Sequence, residues 1–275
     1  MMRIGANCDL SPKDPGEWVR KAKELRCEAV SCPVDYTASA EERKAYREAA
    51  ERQDILIAEV GVWNNPIALD EAERKEAIRV ACEQLALADE MGACCCVNVM
   101  GAAGPVWDGC YSENMSADVY QLSVETVRKI IDAVKPTRTC YTIEPMPWMV
   151  PDSPEACLKL LKDVDRKGLG VHLDYTNMIN SIPKYFQSSA FIKECFRLLG
   201  PFIKSIHAKD IIAEHVLPCH IHEVMPGWGT IDYSLVLKLA DQLGKDMPVL
   251  VEHLETLEEY QQAVAHLHSV WQSCQ

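Results

Sequence analysis

Eight short apolar or β-branched runs, each followed by a helical pattern, predict an α/β chain folded as a single (β/α)8 barrel over residues 1–275. The length agrees, because such barrels typically take about 250 residues. No Gly/Ser-rich linker or low-complexity tract divides the chain. A doubly wound open sheet would more naturally carry a Gly-rich phosphate turn after its first strand, and NCDLSPKDPG is not one.

The first strand is read in RIGANCD, Arg3 to Asp9, with a helix over Pro15–Arg26 that opens on a proline tolerated in the first turn. CEAVSCPVD is the second strand, followed by a charged helical run from Ala40 to Asp54. ILIAEVGVW is the third, and its helix runs from Leu69 to Met91, where Gly92 stops it. ACCCVNVMG is the fourth, with a helix beginning after Ser116 and ending near Pro136. TRTCYTIEPM is the fifth, and Ser153-Pro154-Glu155 opens the next helix. GLGVHLDYTN is the sixth, with a helix over Ser189–Leu199. FIKSIHAKD and MPVLVEHL are the seventh and eighth, each followed by a helix, Tyr233–Leu243 and Leu257–Trp271.

Composition limits the function. A 48% hydrophobic chain buries an ordinary core, and no apolar run approaches the roughly 18 residues of a membrane span. A net charge of −13 disfavours nucleic acid and anionic membranes and suits a small neutral substrate. The thirteen cysteines form no CxxC pair, and Cys94, Cys95 and Cys96 are consecutive in one strand. They read as reduced thiols of a cytoplasmic protein. Whether identical chains assemble into an oligomer is left open.

Four strand-like segments end on a metal-ligating residue: Glu144 ends YTIE, Asp174 ends VHLD, His207 ends KSIH and Glu252 ends VLVE. Parallel strands put these ends on one side of the sheet, and alternation turns all four side chains inward at the rim where barrel active sites lie. Three carboxylates, one imidazole and no thiolate suit one divalent ion. Mn²⁺ is favoured, with Mg²⁺, Co²⁺ and Zn²⁺ as alternatives. Lys209 shares the inward parity of His207; it either binds a substrate oxygen or pairs with a rim carboxylate. His222, before PGWG, is a candidate general acid or base or an exposed loop residue. His172 reads as a hydrogen-bonded core residue, and parity turns His253 away from the interior. Trp63, Trp107, Trp148 and Trp228 follow strands, where aromatic faces suit the C–H faces of a sugar. Asn64 and Asn177 are further candidate substrate contacts.

The segments IEPMPW, GVHLDYTN, SIHAKD, PGWGTIDY and VLVEH resemble the xylose isomerase-like TIM-barrel superfamily, which holds sugar isomerases and epimerases and the AP endonuclease family 2 proteins. The resemblance covers the whole chain and is strongest from Thr137 to Glu252. It implies a metal held by Glu144, Asp174, His207 and Glu252, with Glu144 and Glu252 also shuttling the proton. The sequence departs from that pattern at Asn177, where many members have His, at the Gly227-Trp228-Gly229 turn, and near Ala213, where no substrate-binding Arg stands.

The combined expectation is a metal-dependent isomerase or epimerase of a small sugar, keto-sugar or polyol, working through an enediolate. Lys209 and His222 join the glutamates as catalytic candidates. Its alternative is a lyase or dehydratase, by inosose dehydratase-like chemistry or elimination from a 3-keto-glycoside. An AP endonuclease and a non-catalytic barrel subunit are further readings; the acidic charge opposes the nuclease, as do Asn64, Asn98 and Asn177, where the resemblance implies metal-binding His in a nuclease.

Overall fold

A computed structural model describes the whole chain, Met1–Gln275. Ten strands run in chain order: β1 Arg3–Ala6, β2 Ala29–Ser31, β3 Leu56–Gly61, β4 Cys95–Asn98, β5 Tyr141–Ile143, β6 Leu169–Leu173, β7 Ile203–Ala208, β8 Asp210–Glu214, β9 His220–Val224 and β10 Pro248–Val251. All but β8 and β9 pair in parallel into a closed barrel, in the order β1-β10-β7-β6-β5-β4-β3-β2. This is the TIM-barrel fold, with eight strands at the size where side chains fill the interior.

The helices return the chain between strands: α1 Pro15–Glu24, α2 Ala40–Gln53, α3 Glu71–Met91, α4 Ala117–Val134, α5 Pro154–Val164, α6 Ile182–Phe186, α7 Ser188–Leu199, α8 Tyr233–Gln242 and α9 Leu257–Cys274. Side-chain caps start most of them, because the first amides of a helix have no partner within it. Asp14, Ser39, Asp70, Ser116, Ser153 and Asp232 each accept a backbone N–H from the first turn. Thr256 and Glu259 form a reciprocal capping box on α9. Gly92 ends α3 in the left-handed conformation that glycine adopts freely. No helix is long and apolar enough to cross a membrane, and all thirteen cysteines are free.

Two features differ from the sequence reading. β2 is only three residues long, because Cys32-Pro33 takes the chain out of the sheet. The stretch after β7 is an antiparallel hairpin, β8–β9, in which Asp210 pairs with Val224 and Glu214 with His220. Only Lys209 separates it from the barrel strand.

Barrel closure needs one close backbone approach. A Cβ on Gly5 would lie 1.7 Å from the carbonyl oxygen of Ala29 on β2, a backbone atom that cannot turn aside. Gly5→Ala is expected to destabilise the fold by at least about 1–3 kcal/mol, as overpacking of a rigid site does. Thermal melting compared with Gly200→Ala, where the nearest atom is a flexible Leu243 side-chain carbon at 3.3 Å, measures it; equal losses would contradict the stated geometry.

Candidate metal centre

The carboxyl ends of β5, β6, β7 and β10 bring Glu144, Asp174, His207 and Glu252 together, and all four are buried. One ligand atom from each lies within 4.8 Å of the others. His207 Nδ1 is 2.7 Å from Glu252 Oε1 and 3.6 Å from Glu144 Oε1. Lys209 Nζ lies 2.8 Å from Asp174 Oδ2 and 2.7 Å from Glu252 Oε1. Lys209 thus takes the carboxylate-paired option of the two that the sequence allowed.

These are charge contacts rather than aligned hydrogen bonds: Asp174 Oδ2, Glu252 Oε1 and His207 Nδ1 all lack a hydrogen-bond partner. Asp174 commits its other oxygen to its own loop, where Oδ1 accepts from Thr176 N, Thr176 Oγ1 and Asn177 N. Asn177 Nδ2 donates to Glu144 Oε1 at 3.0 Å. The carboxylates of Glu144, Asp174 and Glu252 crowd one buried space, where Lys209 and a protonated His207 answer only part of a negative charge that is costly to bury. Separations of up to 4.8 Å admit one ion at metal–oxygen lengths of about 2.0–2.6 Å. The donor set therefore fits a hard divalent cation.

The back of His207 is held as well. Its Nε2 is 3.4 Å from Glu59 Oε1. Glu59, on β3, is buried, is 3.5 Å from His172 Nδ1 and accepts from Ser205 Oγ at 3.3 Å. A carboxylate behind a ligating imidazole fixes the proton on the far nitrogen and leaves the near one free to bind. Sequence reading did not select Glu59, although one acid in the apolar run ILIAEVGVW is a signal that something must pair with it. His172 is buried beside it, but neither ring nitrogen has a hydrogen-bond partner, so the expected hydrogen-bonded core histidine is corrected to an unpaired one. Burial lowers its pKa to about 3, and the His207 charge adds to that.

Protonation follows from the same contacts. Burial pushes Glu144 up to about 7, although His207 opposes it. Burial would raise Glu252 too, but His207 and Lys209 outweigh it and hold that carboxylate well below its ordinary range. Burial lowers His207, yet Glu252, Glu59 and Glu144 together raise it well above an ordinary imidazole. In the metal-free protein, His207 therefore carries a proton that a bound cation must displace.

A cavity of about 870 Å³ opens over this cluster. Glu144, Asn177, Lys209 and Glu252 line it, with Trp63, Trp107 and Trp148 around them. His222, on β9, also lines the cavity, but its Nδ1 pairs with Glu214 at 3.1 Å. Three placements correct the sequence reading. Asn64 is not among the lining residues; its amide donates to Ala77 O and accepts from Asn98, so it ties loops together. Trp228 is 70% exposed and also stands outside the cavity. His253, by contrast, lines it, because a φ of 58° reverses the expected alternation. Its Nδ1 pairs with Glu223 Oε2 at 2.9 Å, and its Nε2 is 3.7 Å from Glu252 Oε2.

Residues 19–270 match the family described as xylose isomerase-like TIM barrel. No curated protein matches the sequence. Among solved structures, a xylose isomerase-like TIM barrel protein from Mycobacterium smegmatis in complex with magnesium superposes with a TM-score of 0.74 at 17% identity, covering 100% of this chain and 98% of that one. A D-psicose 3-epimerase from Clostridium cellulolyticum H10 gives 0.70 at 15%, covering 98% and 99%. A probable 3-DHS dehydratase from Bacillus anthracis gives 0.74 at 18%, covering 98% and 99%. At these identities the likeness is one of fold.

Binding of Mn²⁺ or Mg²⁺ is expected to release protons and to tighten as pH rises through about 7, because Glu144 and His207 must give theirs up. Titration calorimetry in buffers of different ionisation heat reads this directly; a pH-independent affinity without proton release would exclude these groups as ligands. His207→Ala should abolish the response. Glu59→Gln should weaken metal binding by about 10–100-fold, the usual effect of losing a carboxylate behind a ligating histidine.

Proposed function

Since the chain belongs to the xylose isomerase-like TIM-barrel family, we propose that it is a divalent-metal-dependent isomerase or epimerase of a small sugar, keto-sugar or polyol. The observation that carries this reading is the pair of carboxylates, Glu144 and Glu252, approaching His207 Nδ1 from the ends of two different strands and lining one cavity. A divalent ion held by Glu144, Asp174, His207 and Glu252 would supply Lewis acidity toward a carbonyl oxygen and its neighbouring hydroxyl.

The remaining chemistry belongs to side chains. One glutamate removes a proton from the carbon beside the carbonyl, and the other returns it. Glu144 faces the cavity from the end of β5 and, as a carboxylate once an ion has displaced its proton, can take a proton from carbon and give it back. His207 and Lys209 hold Glu252 as a carboxylate, the form a proton acceptor needs, although the same pairing lowers its basicity. Asn177 fixes the orientation of Glu144, and Lys209 keeps Asp174 and Glu252 apart from one another's charge. Trp63, Trp107 and Trp148 offer stacking faces for the sugar's C–H groups.

One observation favours a second reading, elimination of water or an aglycone. Pairing with Glu223 raises the pKa of His253, which stands at the cavity beside Glu252. A protonated imidazole there can protonate a leaving group. Product mass separates the readings, because isomerisation conserves it.

Solvent deuterium is expected to enter carbon when the metal-loaded protein is incubated with keto-sugars such as D-psicose and D-tagatose in D2O. Glu144→Gln and Glu252→Gln should each slow that exchange by ~10²-fold or more, the usual worth of a positioned base. Full exchange in Glu252→Gln would remove Glu252 from the role given to it.

A further inference from the structure

Given the sugar-processing reading above, on which this rests, we infer that the substrate is a neutral glycoside that carries its own keto group, bound in two lobes with Trp63 as the partition between them; unoxidised glycosides serve below as binding stand-ins. A second cavity of about 390 Å³ lies beside the main one of about 870 Å³. Asn7, Cys8, Asp9 and Trp63 line both. Cavities of roughly 300–1,000 Å³ hold drug-sized ligands, and the two lobes together offer far more room than one sugar ring fills.

Trp63 is built into its place. Its φ is 46°, a backbone conformation that bulky residues avoid. Strain of this kind collects at ligand clamps. A Cβ on Gly61 would lie 2.2 Å from Trp63 Nε1, so the glycine clears the end of β3 for the indole. The side chain nevertheless remains 41% exposed. An apolar face of that size held between two cavities is a stacking surface for a ring.

The lining decides the chemistry of the ligand. The second lobe presents Asn7, Asp9, Ser31 and Asp35, polar groups that suit hydroxyls, while Gln84 in its wall is committed to Tyr36 N and Gly61 O and Glu59 lies at its floor. No arginine lines either cavity, and the one lysine, Lys209, is committed to Asp174 and Glu252. Asp9, Asp35, Asp108 and Glu223 add negative charge around the mouth. Away from His253 and the metal cluster, a phosphate or carboxylate on the substrate would meet acids and no guanidinium cradle. A second sugar or an aryl aglycone would meet hydroxyl partners and an indole face.

Equilibrium binding to the Mn²⁺-loaded protein tests this without relying on turnover. Titration calorimetry would compare D-glucose and D-fructose with trehalose, sucrose, cellobiose and phenyl β-D-glucoside, and with D-glucose 6-phosphate. At least one disaccharide or aryl glycoside should bind about tenfold or more tighter than the monosaccharides, and the phosphate ester weakest. Trp63→Ala, and Cys32→Phe filling the second lobe from its wall, should each collapse that ratio. If the monosaccharides bind as tightly as every glycoside, or if glucose 6-phosphate binds tightest, the inference is overturned. A preserved ratio in both variants overturns the role of Trp63 and the second lobe. Tight glycoside binding without deuterium exchange in any glycoside or keto-sugar would sink the isomerase reading while leaving this one standing.

Discussion

His207 sits between acids at both ring nitrogens, with Glu59 behind it and Glu144 and Glu252 in front. The upper half of the barrel depends on that arrangement. Four carboxylates, Glu59, Glu144, Asp174 and Glu252, are buried within a few ångströms of this one ring and of Lys209. Each buried carboxylate costs several kcal/mol unless something positive answers it. A protonated His207 and Lys209 supply part of the answer, and a divalent cation would supply more. The site is therefore electrostatically incomplete as a protein alone, and metal binding and proton loss are two sides of one balance.

Much of this was legible in the sequence because strand alternation is a strict rule. Once YTIE, VHLD, KSIH and VLVE are read as parallel strands, the inward direction of Glu144, Asp174, His207 and Glu252 follows, and so does that of Lys209 two residues beyond His207. The same rule failed where the backbone breaks it. His253 follows a strand end in a left-handed conformation, so its side chain returns to the cavity that parity denied it. Asn64 and Trp228 stand outside the cavity for a different reason. Both lie in loops, whose direction has no period to read, and loop proximity to a strand end does not place a side chain in the site. Glu59 is less legible because its acid lies within β3, not at the strand end where ligands gather, and supports His207 from below.

The hairpin was missed because HIHEV alternates weakly and is polar on both faces, so it carries no burial signal. Its placement matters for the chemistry nonetheless. It leaves β7 immediately after Lys209 and delivers Glu223 to both Lys209 and His253. The cavity wall is thereby tied to the charged cluster at its floor.

Asp210, at the root of that hairpin, is fully buried and receives the backbone amides of Ile211, Gly227 and Ile231. A Cβ on Gly229 would lie 2.2 Å from its Oδ1, so the turn closes tightly on the carboxylate. One side chain therefore fastens a whole surface element to the rim by main-chain contacts that are indifferent to the residues displayed further out. The hairpin tip can change length and composition over generations while the anchor and the metal cluster stay as they are. In a barrel of this kind, new substrate ranges can arise by rewriting such a tethered module, with no renegotiation of the buried charges beneath it.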